Sequence, residues 1–252
     1  MNKQHSLILS TAYKLSVFCI SILFAVSPVS SGIQLSSGSS HYLSRSGAPV
    51  TSTPLTIDFF IYPTAWNGVV VWLGEDNAGV WRAHYLGLGG TGEMNACTVQ
   101  NNAFECTNTP AGVAPLNQWV HVTAVFASST SREVFINGVS KGTNTNSMTP
   151  TGINVLYVGA DKSQASPGNF TSAIIDDLKI YNRALTAAEI SQTGGVMTRM
   201  TITNGLVAHY KMMNIGDGVT ATGATVTDSS GNGYTLTATN NPTWRGSSIA
   251  YP

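Results

Sequence analysis

Alternating apolar and polar positions run through much of the chain, and the clearest case lies in residues 117–142. One side of a predicted strand there carries Val120, Val122, Ala124 and Phe126, and the other carries Trp119, His121, Thr123 and Val125. A period of two is typical of a strand with one buried face. A shorter strand over residues 133–137 ends at Asn137-Gly138, a pair that tolerates positive φ. The stretch predicts a hairpin of an antiparallel sheet.

Further strands at short spacing are predicted along the chain, separated by Gly, Asn and Ser. Their ranges are 54–62, 68–73, 79–88, 154–159 and 172–181. One short helix is predicted as well, because Thr186 and Glu189 have the spacing of a capping box and Gly194-Gly195 follow. Together these elements predict an all-β fold, an antiparallel β-sandwich or jelly roll with one short helix.

Residues 1–31 have the features of a secretory signal peptide. Lys3 and Lys14 precede an apolar run over residues 15–26, and small residues follow it. The run is shorter than the roughly 20 residues that a membrane span needs. We therefore predict a secreted or cell-surface protein with no stable membrane span after cleavage. The alternative is that this N-terminal segment is retained.

The cysteines outside that segment, Cys97 and Cys106, are predicted to form a disulfide. Asn101-Asn102 can close a two-residue hairpin turn between them. Counting outward from this turn places the two cysteines opposite each other in a non-hydrogen-bonded pair, with Cα atoms about 4.5 Å apart. That separation suits a disulfide in an oxidising compartment. The alternative is a pair of reduced thiols.

Charge makes nucleic acid an unlikely partner for the chain. Twelve basic and twelve acidic residues give a formal net charge of zero, so no basic stripe is available to release phosphate counterions. Charged residues make up 10% of the chain, against about 25% in ordinary soluble domains. The surface must then consist largely of Ser, Thr, Asn and Gly, which suits an extracellular or virion-borne β protein.

Three stretches resemble the laminin G-like jelly rolls of the concanavalin A-like lectin/glucanase superfamily. They are WVHV at 119–122, VFINGV at 134–139 and IDDLKIYNRALTAAEI at 175–190. The resemblance implies a β-sandwich that recognises a glycan or another surface ligand through its edge loops.

The C-terminal tail, residues 205–252, resembles the leader that normally opens such domains. GLVAHY at 205–210 and DSSGNGYTLT at 228–237 carry this similarity. Forty-eight residues cannot bury a core of their own. We therefore predict a circular permutation, with residues 32–252 forming a single domain to which the tail supplies the closing strands. A truncated second copy is the alternative.

The acidic residues do not favour an enzyme. Related glucanases carry closely spaced Glu and Asp on one strand, whereas none of the five glutamates here has an acidic residue two positions away. Glu75 and Asp76 are adjacent, so on a strand they would point to opposite faces. His41, His84, His121 and His209 show no metalloprotease spacing, and no GxSxG motif is present. The prediction is a non-enzymatic protein, with a glycosidase as a minor alternative.

Calcium is the one cofactor that the sequence suggests, at Asp176 and Asp177. Asp176 is expected to share an inward face with Ile174, Leu178 and Ile180, and a buried carboxylate must be paired, hydrogen-bonded or bound to metal. Many members of the family bind calcium, which takes oxygen ligands. The alternative is that Asp176 accepts backbone hydrogen bonds from a neighbouring loop.

A ligand site is predicted where aromatic, amide and charged residues meet near loops. Aromatic rings that pack on a sugar, together with directed hydrogen bonds, suit pyranose binding. The candidates are Trp66, Asp76, Asn77, Trp81, Arg82 and Tyr85, while Trp72 and Trp119 are assigned to the core. The predicted function is recognition of a glycan or surface protein. The alternative is a self-assembling structural subunit of a surface filament or virion, built by strand exchange.

Overall fold

The computed structural model describes residues 29–76, 79–194, 200–212, 218–221 and 223–250. The predicted signal peptide therefore lies almost wholly outside the described residues. Within them, no helix is long and apolar enough to cross a membrane. The strands are β1 Val29–Leu35, β2 Tyr42–Ser46, β3 Leu55–Pro63, β4 Val69–Gly74, β5 Arg82–Leu88, β6 Met94–Gln100, β7 Ala103–Cys106, β8 Val120–Ser128, β9 Ser131–Ile136, β10 Val139–Asn144, β11 Val155–Val158, β12 Ala173–Tyr181, β13 Leu206–Tyr210, β14 Thr225–Val226, β15 Leu236–Thr239 and β16 Thr243–Ala250. One α-helix, α1 Ala187–Thr193, follows β12.

These strands form the predicted antiparallel sandwich. The first sheet has the order β10-β9-β8-β3-β12-β1-β16, and β13 also pairs with β12. The second sheet has the order β14-β15-β2-β11-β4-β5-β6-β7. Apolar side chains between the sheets make the main core, because each strand turns alternate residues inward. The first sheet contributes residues such as Ile57, Val122 and Ile180, and the second contributes Val71, Leu86 and Leu156.

Local turn chemistry formed as predicted. Asn101 and Asn102 both have positive φ, and the hairpin that they close places Cys97 opposite Cys106. These cysteines form a disulfide with a Cα–Cα distance of 4.1 Å. Asn137 and Gly138 also have positive φ at the β9–β10 turn. The capping box of α1 is present in both directions, between the Thr186 hydroxyl and the Glu189 backbone and between the Glu189 carboxylate and the Thr186 backbone.

The C-terminal tail adds strands to both sheets. β13 and β16 pair with β12 and β1 in the first sheet, while β14 and β15 extend the second sheet from β2. β1 and β13 lie end to end along the same side of β12, facing residues 173–175 and 178–181. The circular permutation itself stays a prediction.

The prediction that Asp176 shares one inward face with Ile174, Leu178 and Ile180 is wrong, although its side chain is fully buried as predicted. Asp177 has a φ of +52° and forms a bulge at which the pairing of β12 with β3 shifts register. Beyond the bulge, Leu178 and Ile180 face the core, but before it Ile174 packs on the outer surface with Phe60 and Trp119. The bulge changes which residues alternate inward, so Asp176 does not share one face with all three apolar neighbours.

Candidate functional site

Aromatic side chains line the outer face of the second sheet. Tyr157, Trp72 and Tyr85 are direct cross-strand neighbours on β11, β4 and β5. Tyr42 of β2 stacks on Tyr157 at 5.6 Å between ring centroids, and Trp81 lies 5.3 Å from Phe104 of β7. We call this surface the aromatic face, defined by Tyr42, Trp72, Trp81, Tyr85, Phe104, Tyr157 and Phe170.

The rings of the aromatic face differ in exposure. Trp72 is fully buried, whereas Trp81, Tyr85 and Tyr157 are partly exposed and Phe104 is 46% exposed. Trp72 is in contact with both Trp81 and Tyr85, at centroid distances of 5.8 and 5.6 Å. It thus forms the buried base of the face, and the rings around it remain accessible.

Gly74 is required by the position of Trp72. A Cβ atom at residue 74 would lie 2.1 Å from Trp72 Nε1 and 2.4 Å from Cε2. The indole ring therefore lies directly over the glycine backbone, which only a residue without a side chain permits. Among the described residues, Trp72 Nε1 has no hydrogen-bond acceptor.

Two loops meet beside the aromatic face. Gly79, in the loop after β4, donates its backbone N–H to the carbonyl oxygen of Ser163, in the loop after β11. Asp76 and Lys162 join the same loops through an ion pair of 2.7 Å. Arg82 Nη1 lies 2.5 Å from Glu75 Oε2, but Arg82 alternates along β5 with Ala83 and Tyr85 and so projects from the side of the sheet that His84 faces. The charged groups beside the face, Asp76 and Lys162, thus already have each other as partners.

Asp161 organises the second of these loops from inside. It is fully buried and accepts hydrogen bonds from Ser163 Oγ at 3.0 Å and Asn169 Nδ2 at 2.5 Å. Burial, reinforced by the negative charge of Asp161, raises the pKa of Tyr85 to about 12. Burial, with Asp76 and Tyr42 nearby, raises the pKa of Tyr157 to about 12 as well. Both phenols therefore keep their protons at ordinary pH and are able to donate hydrogen bonds.

The structure brings together three of the six predicted ligand residues, Asp76, Trp81 and Tyr85, whereas Arg82 projects from the opposite side of β5 to Tyr85. Asn77 lies outside the described residues. Trp66 lies at the other end of the β4–β5 hairpin, where it contacts the main core and donates its Nε1–H to the carbonyl oxygen of Ala114 at 2.9 Å. Its closeness to Trp81 in sequence does not make the two neighbours in space. Their role in binding stays a prediction.

Sequence reasoning missed Tyr42, Phe104, Tyr157 and Phe170. Tyr42 precedes the buried Leu43, and Tyr157 lies between the buried Leu156 and Val158. Strand alternation alone therefore indicates that both tyrosines point away from the core. Trp72 and Trp119 are buried as predicted, but both pack in clusters outside the main core.

The predicted metal residue Asp177 instead belongs to a buried ion chain on the outer face of the first sheet, defined by His121, Asp58, Lys179, Asp177 and His209. The Asp58 carboxylate lies 2.8 Å from His121 Nε2 and 3.4 Å from Lys179 Nζ. Lys179 Nζ lies 2.7 Å from Asp177, whose other carboxylate oxygen lies 2.7 Å from His209 Nε2. All five side chains are almost completely buried.

Neighbouring charges control the protonation of the carboxylates and the lysine in this buried ion chain. Burial acts to raise the pKa of Asp58, but His121 and Lys179 outweigh it and hold that pKa well below its usual range. For Asp177, burial is likewise outweighed by His209 and Lys179, and the pKa is lowered. Burial acts to lower the pKa of Lys179, whereas Asp58 and Asp177 raise it above its ordinary value. Asp58, Asp177 and Lys179 stay charged because opposite charges compensate one another.

A calcium ion does not fit at Asp177. One of its carboxylate oxygens is occupied by the ammonium group of Lys179, and the other by the imidazole of His209. Within the described ranges, no group of three or more His, Cys, Asp or Glu residues converges on a point. Calcium prefers six to eight oxygen ligands, and Asp177 offers none that is uncommitted.

Comparison with known proteins assigns the family. A laminin G-type family model, described as the concanavalin A-like lectin/glucanases superfamily, matches residues 36–191. The chain belongs to this superfamily. The match spans every residue of the aromatic face, whereas β13 to β16 of the tail lie beyond it. No curated protein matches the chain.

Several solved structures share the concanavalin A-like fold of this chain. A proposed carbohydrate binding protein from Bacteroides ovatus is 14% identical, with a TM-score of 0.60 over 89% of this chain and 62% of that chain. A SAP-like pentraxin from Limulus polyphemus is 19% identical, with a TM-score of 0.51 over 66% and 82% of the two chains. The CBM40 of a Ruminococcus gnavus sialidase, bound to sialyllactose, is 14% identical, with a TM-score of 0.51 over 66% and 99%.

Proposed function

We propose that this protein is a non-enzymatic glycan-binding module and that the aromatic face is its binding surface. The observation that carries the proposal is a row of partly exposed rings that extends across the second sheet from Tyr42 of β2 to Phe104 of β7, with rings on four of these six neighbouring strands. A contiguous row of partly exposed aromatic rings is typical of an interaction site. Sugar rings have apolar C–H faces and polar edges, so they match aromatic rings that are bordered by hydrogen-bonding groups.

The carboxylates beside the face support binding over hydrolysis. Glycosidases place two carboxyl groups on opposite sides of the scissile bond, with one free to donate a proton and the other free to attack or to activate water. Here Glu75 is paired with Arg82, and Asp76 is paired with Lys162. Asp161 is fully buried and already accepts two hydrogen bonds. None of the three carboxylates is free for acid–base work.

The structural relatives support the same class at the level of the fold. One is a proposed carbohydrate binding protein, and another is a sialidase CBM40 with a bound oligosaccharide. A shared fold does not dictate function, so the argument rests on the aromatic face itself. The Cys97–Cys106 disulfide suits an oxidising compartment, and we place the module outside the cytoplasm.

The experiment is a glycan array followed by calorimetry on the best ligand, with Trp81→Ala and Tyr157→Ala as test variants. We expect each variant to weaken binding about tenfold or more, equivalent to about 1.4 kcal/mol, because aromatic contacts dominate binding surfaces. Trp66→Phe is the matched control, since Trp66 lies at the other end of the β4–β5 hairpin, and its affinity should stay within twofold of wild type.

Thermal unfolding of all three variants separates lost binding from lost folding. A Trp81→Ala protein that folds normally and binds as tightly as wild type would contradict the proposed surface. A wild-type protein that binds nothing on the array would contradict the proposed function.

A further inference from the structure

We infer that the aromatic face binds a neutral, extended oligosaccharide and discriminates against sialylated, sulfated and uronic acid-containing glycans. The inference rests on the proposed function and adds the chemical class of the ligand. Two features carry it, namely the state of the charged groups beside the face and the length of the row of rings.

Lys162 has no donor left for an anionic sugar. Its ammonium group lies 2.7 Å from Asp76 Oδ1, and it donates to the carbonyl oxygens of Gln164 at 2.9 Å and Ala165 at 3.1 Å. A lysine has three N–H donors, and these three partners use all of them. The side chain is also only 12% exposed. A sugar carboxylate or sulfate would have to displace Asp76, which exchanges one anion for another and gains little.

Arg82 adds no cation to the face, because it alternates with Tyr85 along β5 and projects from the other side of the sheet. There its Nη1 pairs with Glu75, and its Nε donates to the Asn101 side chain at 2.9 Å. Beside the face, Lys162 is one cation against two carboxylates, Asp76 and the buried Asp161. The local charge beside the face is therefore negative, and an anionic glycan that approached the face would be repelled.

The aromatic face also carries uncharged hydrogen-bonding groups, namely the phenols of Tyr85 and Tyr157. Both phenols are protonated donors that also accept. Sugar hydroxyls both donate and accept, so they match such groups without a charge. A neutral saccharide therefore loses less on leaving water here than a charged one would.

The row of rings is longer than one sugar. From β2 to β7 the second sheet runs through β11, β4, β5 and β6, which is five strand spacings or about 24 Å at roughly 4.8 Å each. Phe170 lies 6.1 Å from Tyr42, and Phe104 stands at the opposite edge. A single ring can contact only part of this row, so affinity should grow with chain length until the row is covered.

The test is calorimetry with neutral oligosaccharides of one to six units and with charged derivatives of the same backbone, at low and high salt. We expect the longer neutral chains to bind at least tenfold more tightly than the monosaccharide, with affinity within twofold between the two salt concentrations. The charged derivatives should bind at least tenfold more weakly. Tighter binding of the charged derivatives, lost at high salt, would overturn the inference.

Asp76→Asn sharpens this test, because it removes the carboxylate that occupies Lys162. Asp76 is 49% exposed, so the variant should fold. We expect it to shift the preference toward the charged derivatives by roughly twofold to fivefold, the scale of one exposed ion pair. An unchanged preference counts against the charge argument. Preference for charged glycans with loss of binding in Trp81→Ala would overturn only the inference, whereas no binding of any glycan would overturn the proposed function.

Discussion

The two outer faces of the sandwich differ in the kind of side chain that they bury and expose. On the first sheet, helix α1 packs over charged residues, with Thr193 Oγ1 lying 3.4 Å from Asp58 and Gly194 against His121. On the second sheet, uncharged aromatic rings stay partly open to solvent. The chain thus buries its charges where they compensate one another and exposes apolar rings where a ligand can reach them. Charged residues are therefore not a guide to the proposed binding surface of this protein.

This difference also separates stability from binding. A buried ion chain stabilises the folded state little more than apolar side chains of the same volume would. Removal of one member nevertheless leaves its charged partners buried without a compensating charge. Partly exposed rings contribute less to folding, because part of their apolar surface stays in water in the folded state. Substitutions on the first face should therefore change folding, and substitutions on the second should change binding.

The largest effect is expected for Lys179→Met, which removes the cation between Asp58 and Asp177. We expect the free energy of unfolding to fall by about 3–5 kcal/mol, because two carboxylates remain buried and face each other. Urea unfolding measures this loss, and glycan affinity should be unchanged in the folded protein. The control is Lys141→Met at an exposed position of β10, which should stay within about 0.5 kcal/mol of wild type. If the free energy of unfolding fell by less than about 1 kcal/mol in Lys179→Met, the members of the buried ion chain would not be coupled as described.

Acid is expected to have the next largest effect, again on the first face. The folded-state pKa values of Asp58 and Asp177 are lowered, so the unfolded chain binds protons first as pH falls through about 4. Their contribution is complete above about pH 5 and is lost at lower pH. The pKa of Lys179 is raised in the folded state, so its contribution to stability is fully present below about pH 10 and is lost at higher pH.

Urea unfolding at pH 7, 5 and 3 measures this dependence. Stability should be similar at pH 7 and 5 and clearly lower at pH 3. Binding at the aromatic face should stay constant from pH 5 to 9, because the Tyr85 and Tyr157 phenols titrate near pH 12. Equal stability at pH 7 and 3 would be at odds with the lowered pKa values of both carboxyl groups.

The smallest effect is expected for Gly74→Ala on the second face. Its Cβ would overlap Trp72, so the indole must move and disturb Trp81 and Tyr85. We expect a loss of about 1–3 kcal/mol in stability, typical of overpacking, and a several-fold loss of glycan affinity. Gly90→Ala is the control, since a Cβ at residue 90 meets nothing within 4 Å. Unchanged affinity in Gly74→Ala would mean that the buried base does not set the position of the exposed rings.

The parts of the fold that depend on near neighbours were predictable from the sequence. The turns at Asn101-Asn102 and Asn137-Gly138, and the capping box at Thr186, each involve residues within four positions of one another. The strands were predictable for the same reason, because alternation is a local pattern. The face that Asp176 was predicted to share with Ile174, Leu178 and Ile180 is wrong because a bulge at Asp177 interrupts that pattern.

The candidate site was only partly predictable, because strands from distant parts of the chain build it. Tyr42, Trp72 and Tyr157 meet because β11 pairs with both β2 and β4, and no local signal states this order. Trp66 is grouped with Trp81 in the prediction because both lie near loops, but the two loops are at opposite ends of the β4–β5 hairpin. The aromatic residues near loops indicate the class of site, whereas the strand order of the second sheet determines which residues belong to it.

The pairing of early with late strands has a consequence for biosynthesis. Leu43 of β2 pairs with Ala238, and Gln34 of β1 pairs with Thr243. At synthesis rates of about 5–20 residues per second, the roughly 200 residues between them take roughly 10–40 s to appear. The edges of β1 and β2 that these late strands cover stay bare throughout that interval, and bare edges invite pairing with other chains. The native pairing of β1 and β2 can therefore be completed only after these late strands have been synthesised, and shielding of the two bare edges during that interval would reduce pairing with other chains.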